Sequence, residues 1–545
     1  MLSLAAVGMI GCWKEASLER FMSGLNFSPP GAVAAAAAVE ALPLVANSVS
    51  SNESHDDHHS NFDRYKHLGH LSPFFVPPNT PEWLKSGTPP GCTASRAFLI
   101  HRHGSRYPHG DELPVIQGLA DYIGNNSALF SSPRGPVPRA WSFLQKETGW
   151  RNTLTLGVDD LTAPGRQQLF DHGVALRLRY PDLYTEPDDD GAALAVAGDE
   201  DRVVESASWF LAGYHGRAIA SSASASASAS GRGNASTTPP PPFLRVVPED
   251  SDTPSWITPH ETCSAWDERL GSDPAARWGA VYLPPIADRL NALLAGPWPG
   301  VRFTPAHVHG MFWACAYGTA ARGIGVSMDE AESGSPWCDV FEPGEVLDNE
   351  YEYDLRQRGF SGYGLPGDMG AVLGGLLVGN VTAFLGQGQG QGQERVFSDE
   401  DQDQDRSGKE KLLSLNFCHD KTLAFGLTAL GLAADDAFPP EGPVDRHRSW
   451  QTARLVPFAS YMLWKRLECG EEGGESEGES SGGGSGSSRI QLVLNGANYG
   501  LGPTGCAIDE YGTCSFDNFL DTAKVKAALN VTHGDAKWRE VCGDA

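Results

Sequence analysis

The chain has 545 residues, 40% hydrophobic and 9% aromatic, enough for a large packed core and more than one small domain needs. Asp and Glu total 68 against 41 Lys and Arg, a formal net charge of -27, which disfavours nucleic acid as a partner. So acidic a chain repels anions at long range, and any anion site in it must carry its own local cations.

Residues 1–62 read as leader and linker. "MLSLAAVGMIGCW" is apolar, and "GAVAAAAAVEALPLVA" is broken by Glu40 and Pro43, so neither reads as a membrane span. The histidines of "HDDHH" (His55 to His59) read as a solvated tail. "AFLIH" (Ala97 to His101) is a short buried strand, followed by the loop "RHGSRYP". "LTAPGRQQLFDHGVALRLRY" (Leu161 to Tyr180) is a helix with Thr162 as cap and Pro164 in its first turn. "EDRVVESASWFLAGYHG" and "KTLAFGLTALGL" are further helices, and "RIQLVLN" is a late strand. Segments 221–242, 386–410 and 470–488 are Ser-, Gly-, Gln- or acid-rich and read as flexible surface insertions. Strands mixed with helices indicate an α/β fold with a helical companion region.

The ten cysteines form no C-x-x-C pair, which argues against zinc ribbons and thioredoxin chemistry. N-x-S/T sequons start at Asn26, Asn52, Asn125, Asn234, Asn380 and Asn530. Together these lean toward an extracytoplasmic protein.

The loop "RHGSRYP" is the chemical centre of the sequence. Arg102 and Arg106 offer planar guanidinium forks that suit phosphate oxygens. Gly104 permits a close backbone approach to a ligand. Between the two arginines the cationic form of His103 is disfavoured, and a neutral imidazole is a nucleophile. Five fixed residues in this pattern arise by chance with a frequency on the order of 10⁻⁴ in such a length.

The pattern resembles the R-H-G-x-R-x-P signature of the histidine acid phosphatases, the branch that includes fungal phytases. The "HD" after a strand in "LNFCHDKTLAFGLTALGL" and Arg202 opening a helix resemble that family's second and third elements. So do "WCDVFEPGEVLDNEYEYDL" and "GCAIDEYGTCSFDNFL", and the likeness runs in family order from about His67 to Cys542. It implies a phosphoglycerate-mutase-like α/β domain with a mixed central sheet and a smaller helical cap. The cap is expected within 110–200 and 240–350 of a single catalytic unit over 63–545.

The resemblance implies that His103 attacks phosphorus to form a phosphohistidine and that Asp420 protonates the leaving oxygen. Arg102, Arg106, Arg202 and His419 would bind the phosphate. No metal or other cofactor is implied. An acid that must be protonated indicates an acidic optimum, since an unperturbed Asp sits near pKa ~4. The implied disulfides are Cys92–Cys469, Cys263–Cys542, Cys315–Cys338 and Cys506–Cys514, with Cys12 and Cys418 left over. Cys418 stands where many relatives have a small hydroxyl residue, and His101 reads as structural.

The expected partner is a small phosphomonoester, with no nucleic acid and no membrane, for a secreted enzyme of open oligomeric state, a monomer included. Phytase-like hydrolysis of an inositol polyphosphate is the first choice, and a broad-specificity acid phosphatase is the alternative. An inactive phosphate-binding relative is the non-enzyme alternative. Arg356 and Gln357, with Arg358 next, stand where fungal phytases carry a lysine pair, and Lys146 and Arg151 are further candidate cations near the pocket.

Overall fold

Behind the "RHGSRYP" loop the run Ala97–Ile100 is apolar without alternation, the pattern of a strand covered on both faces. A computed structural model, which describes residues 62–184, 195–216, 244–325, 334–387, 412–436, 438–470 and 487–543, places it in such a position. The expected leader, the 221–242 insertion and nearly all of the other two insertions lie outside the described residues.

The elements that position the site run in chain order as follows. They are β1 (Cys92–Arg102), α1 (Leu113–Asn125), α2 (Ala163–Arg179), β2 (Ala195–Gly198), α3 (Asp201–His215) and β3 (Leu244–Val247). Next come α4 (Arg269–Leu294), α5 (Pro305–Arg322), α6 (Pro343–Ser361), α7 (Met369–Gly386), β4 (Leu413–Cys418) and α8 (Asp420–Ala429). The chain then forms β5 (Tyr461–Cys469), β6 (Ser487–Leu494), β7 (Ala497–Tyr499) and β8 (Cys514–Ser515).

The strands make one mixed eight-stranded sheet in the order β3-β2-β4-β1-β5-β6-β7, with β8 on β6. β3, β2, β4 and β1 are parallel, whereas β5 to β8 join antiparallel. On one face, Leu169 and Leu176 of α2 and Phe210 and Leu211 of α3 pack on Leu99, Leu415 and Phe417. On the other, Leu377 and Val381 of α7 and Leu423 and Leu427 of α8 pack on Phe98, Ile100 and Trp464. Helix α7 is apolar enough to cross a membrane by length and composition, yet it is mostly buried in this core. A separate helical core gathers Leu119 of α1, Leu290 of α4, Phe312 of α5 and Tyr351 of α6 around Trp141, Trp298 and Trp337. Helix α2, within the span expected for the cap, is part of the sheet layer.

Thr162 caps α2 by accepting from Gly165 N at 3.1 Å, as its sequence position indicated. Four disulfides join Cys92–Cys469, Cys263–Cys542, Cys315–Cys338 and Cys506–Cys514. The first links register partners on β1 and β5. The sequon residues Asn125 and Asn530 are exposed. Asn380 differs, because it is half-buried inside α7 and donates its amide to Leu376 O at 2.8 Å.

Candidate active site

Parallel strands with neighbouring carboxyl ends bring the following loops together, where α/β sheets place ligands. Arg102 of β1 is in register with Cys418 of β4, and the next amide, His103 N, donates to Cys418 O at 3.0 Å. Two residues directly after adjacent strands, His103 and His419, therefore face each other with ring centroids 5.7 Å apart. β2 pairs with β4 on the far side and delivers Arg202, and β3 pairs with β2 and delivers Glu249. Arg102, His103, Arg106, Arg202, His419 and Asp420 all line one cleft.

His103 is almost completely buried and places Nδ1 2.9 Å from Gly104 O. A carbonyl only accepts, so Nδ1 carries the hydrogen and Nε2 carries the lone pair. Burial, then Arg102 and Arg202, hold its pKa well below the ordinary value, so the ring is neutral. Gly104 is required for a different reason from the one the sequence indicated. A Cβ there would lie 2.4 Å from Gly165 O, so its bareness lets the loop sit on the first turn of α2 rather than on a ligand. Thr162 completes that seam by donating its hydroxyl to Ser105 O at 3.0 Å.

Each arginine is held by the protein on one side. Arg102 donates Nη1 to His70 O at 2.5 Å and to Val456 O at 2.7 Å, and lies over the Phe458 ring. Arg106 Nη1 meets Glu112 Oε2 at 3.1 Å, and that same oxygen accepts from Tyr317 Oη at 2.5 Å and from His109 N at 2.8 Å. Arg202 pairs with Glu200 and lies 3.7 Å from Asp159. All three keep a buried Nε without a hydrogen-bond partner among the described residues, so the cleft holds more cationic donors than the protein satisfies.

His419 is the N-cap of α8 and Asp420 its first residue, so both stand where the helix dipole favours negative charge. Burial holds His419 down at about 3 with help from Arg202, which leaves it neutral. Burial opposes ionisation of Asp420, but Arg102 Nη2 at 3.3 Å, with His70 and Lys421, outweighs it and holds the carboxyl well below the usual range. The unperturbed Asp expected from the sequence is thus not what the free cleft contains.

Other sequence candidates divide. Arg356 lines the cleft, whereas Gln357 is fully buried and Arg358 lies over Phe438 away from it. Neither Lys146 nor Arg151 lines the cleft, and Arg151 pairs with Glu147 at 2.7 Å on the exposed face of a helix. His101 points away and places Nε2 2.9 Å from His172 Nδ1. Cys418 is a buried free thiol whose pKa burial pushes well up, which makes it inert rather than oxidisable.

Several cleft residues carried no sequence signal: His70, Glu112, Glu200, Glu249, His260 and Lys421. Glu249 Oε2 lies 2.7 Å from His419 Nε2, and Glu200 Oε2 lies 3.9 Å from the same nitrogen. Glu200, Glu249 and His419 bring two carboxylate oxygens and an imidazole nitrogen within 4.8 Å of one another. Glu200 is already committed to Arg202, and Glu249 to His419.

The family model of the histidine phosphatase superfamily, branch 2, matches residues 96–495. The chain belongs to that family. Histidine-phosphatase relatives include phytase A of Penicillium oxalicum, 25% identical over 505 residues, covering 92% of this chain and 96% of the relative. The thiamine-repressible acid phosphatase pho4 of Schizosaccharomyces pombe is 26% identical over 455 residues, covering 78% and 83%. The fold matches that of the phytase from D. castellii, with a TM-score of 0.65 at 18% identity over 89% of this chain and 88% of that one. It also matches a Bifidobacterium longum multiple inositol polyphosphate phosphatase, with a TM-score of 0.55 at 13% identity over 86% and 99%. Curated relatives of this histidine phosphatase are thus phytases and acid phosphatases, and its architecture is that of solved phytases.

Proposed function

We propose that the protein is a secreted acid phosphomonoesterase that works through a phosphohistidine at His103. The observation that carries the reading is the meeting of three arginines, a tautomerically fixed neutral His103 and the His419–Asp420 pair in one cleft. His103 Nε2 attacks phosphorus, the N–P bond forms as the P–O ester bond breaks, and Arg102, Arg106, Arg202 and His419 take up the charge. Asp420 gives its proton to the departing oxygen. Phosphate bound to Arg102 shares the charge that now holds Asp420 ionised, so substrate binding raises the carboxyl toward the protonated state. Water then attacks the phosphohistidine with Asp420 as base and releases phosphate. The disulfides support secretion.

Substrate choice rests on the outer cleft. Arg356 and Lys421, the latter paired with Glu268 at 3.1 Å, also line the cleft and add cations for further phosphates, which supports a phytase-like activity. Glu112, Glu200, Glu249, Glu261 and Glu268 line the same cleft, which favours a simple monoester as the second reading. Phosphate release from phytate and from p-nitrophenyl phosphate, compared across the acidic range, separates them. Higher kcat/KM on phytate supports the first reading, and negligible phytate turnover beside rapid hydrolysis of the simple ester supports the second.

A further inference from the structure

Glu249 is placed by the outermost parallel strand and reaches inward to the centre of the cleft. Its side chain is 5% exposed, and its Oε2 lies 2.7 Å from His419 Nε2. Gly198, at the end of β2, makes the room, because a Cβ there would fall 1.4 Å from Glu249 Oε1. That Oε1 is buried with no hydrogen-bond partner among the described residues. Such a carboxyl costs free energy if it does nothing, and it occupies the nitrogen assigned above to phosphate.

The groups facing it come from every neighbouring element. The β2–α3 turn contributes Asp199 and Glu200, the first turn of α3 contributes Arg202, and the segment before α4 contributes His260 and Glu261. The β4–α8 turn contributes His419, with Lys421 against His260. Asp199 accepts the Glu249 backbone N–H at 3.0 Å, so the loop is held close to two further acids.

We propose that Glu249 is a specificity-determining residue of this cleft: as a neutral carboxyl it shares a tetrahedral oxyanion with His419, and as a carboxylate it occupies His419 and shuts the oxyanion out. The inference rests on the phosphatase reading above. The protonated group donates to an oxyanion oxygen, whereas the ionised group accepts from His419 and repels a dianion. Burial pushes Glu249 up to about 7, against the pull of Arg202, so the switch between these forms falls at the upper edge of the acidic range. His419, held near 3, stays neutral throughout and does not mask it.

Inorganic sulfate is a suitable probe because its charge is constant across this range. Its inhibition constant against p-nitrophenyl phosphate is measured for the full chain at about pH 5 and about pH 8. In the wild type the constant rises about tenfold between the two, as Glu249 ionises. In Glu249→Gln, a neutral isostere, the ratio falls close to one, with the gain at the higher pH appearing in KM rather than kcat. Glu249→Ala is the second variant should the first be poorly folded, and it also flattens the ratio while weakening sulfate binding at the lower pH. A wild-type ratio retained in both variants overturns the inference and leaves the phosphatase reading standing. A wild type that hydrolyses no phosphate ester at acidic pH overturns the phosphatase reading itself.

Discussion

Arg102 Nη2 lies 3.3 Å from Asp420 Oδ2, across the seam between two register-paired parallel strands. The contact couples the phosphate clamp to the proposed proton donor. While the cleft is empty the carboxylate neutralises a fully buried guanidinium, and a bound phosphate takes over that task. In the proposed mechanism the acid therefore takes up its proton on substrate binding and is ionised in the free protein. Removal of the donor is expected to depend on the leaving group. Asp420→Asn slows alkyl phosphates by ~10²–10³-fold and p-nitrophenyl phosphate by less than ~10-fold, in steady-state kcat/KM. Equal slowing of both esters contradicts the assignment.

The second clamp arginine leans on a different carboxylate. Burial opposes ionisation of Glu112, but Arg106 foremost holds it well below the usual range, while Tyr317 and the His109 amide complete its hydrogen bonds. Glu112→Ala leaves Arg106 without its carboxylate partner and costs about 3–5 kcal/mol, measured as denaturant midpoint. Glu112→Gln keeps the hydrogen-bond geometry and costs less, with its effect on catalysis falling on KM.

A histidine pair on the other side of β1, with His101 fully buried, sets a pH limit on the fold. His101 donates Nδ1 to Arg102 O at 2.6 Å, so its Nε2 accepts from His172 Nδ1. Burial holds His101 down at about 4, so between there and 6.5 the unfolded chain binds a proton that the folded chain does not. Stability rises with pH through this window and is lost as pH falls, by up to about 3 kcal/mol. The thermal midpoint falls from pH 6.5 toward 4, and His101→Gln has a shallower slope over that interval. An identical slope in the variant assigns the effect to other groups.

The features legible in the chain are those whose residues lie close together along it. "RHGSRYP" and "HD" each follow an apolar strand, so a strand-end site with Arg102, His103, His419 and Asp420 is visible in the sequence alone. Helix α2 announces itself through Thr162, Pro164 and its apolar spacing. Four-residue strands such as "AVAG" and "LRVV" are too short to show a period, so the edge that delivers Arg202 and Glu249 is not. Glu249 itself sits in "PEDSDT", where an acid before a turn is unremarkable, and only β3 pairing with β2 brings it to His419. Gly104 is recognisable as necessary, but its reason, a helix turn packed against the loop, is a tertiary fact.

The phosphohistidine proposed at His103 is open to direct capture, by rapid alkaline quenching of the full chain during turnover of a ³²P-labelled phosphomonoester. The wild type is expected to carry label that survives alkali and is lost in acid, the signature of a phosphohistidine, on the peptide that contains His103. His103→Ala is expected to carry no label and to have a kcat lower by at least ~10³-fold. Turnover by the wild type with no trapped label, or label retained in His103→Ala, contradicts His103 as the nucleophile.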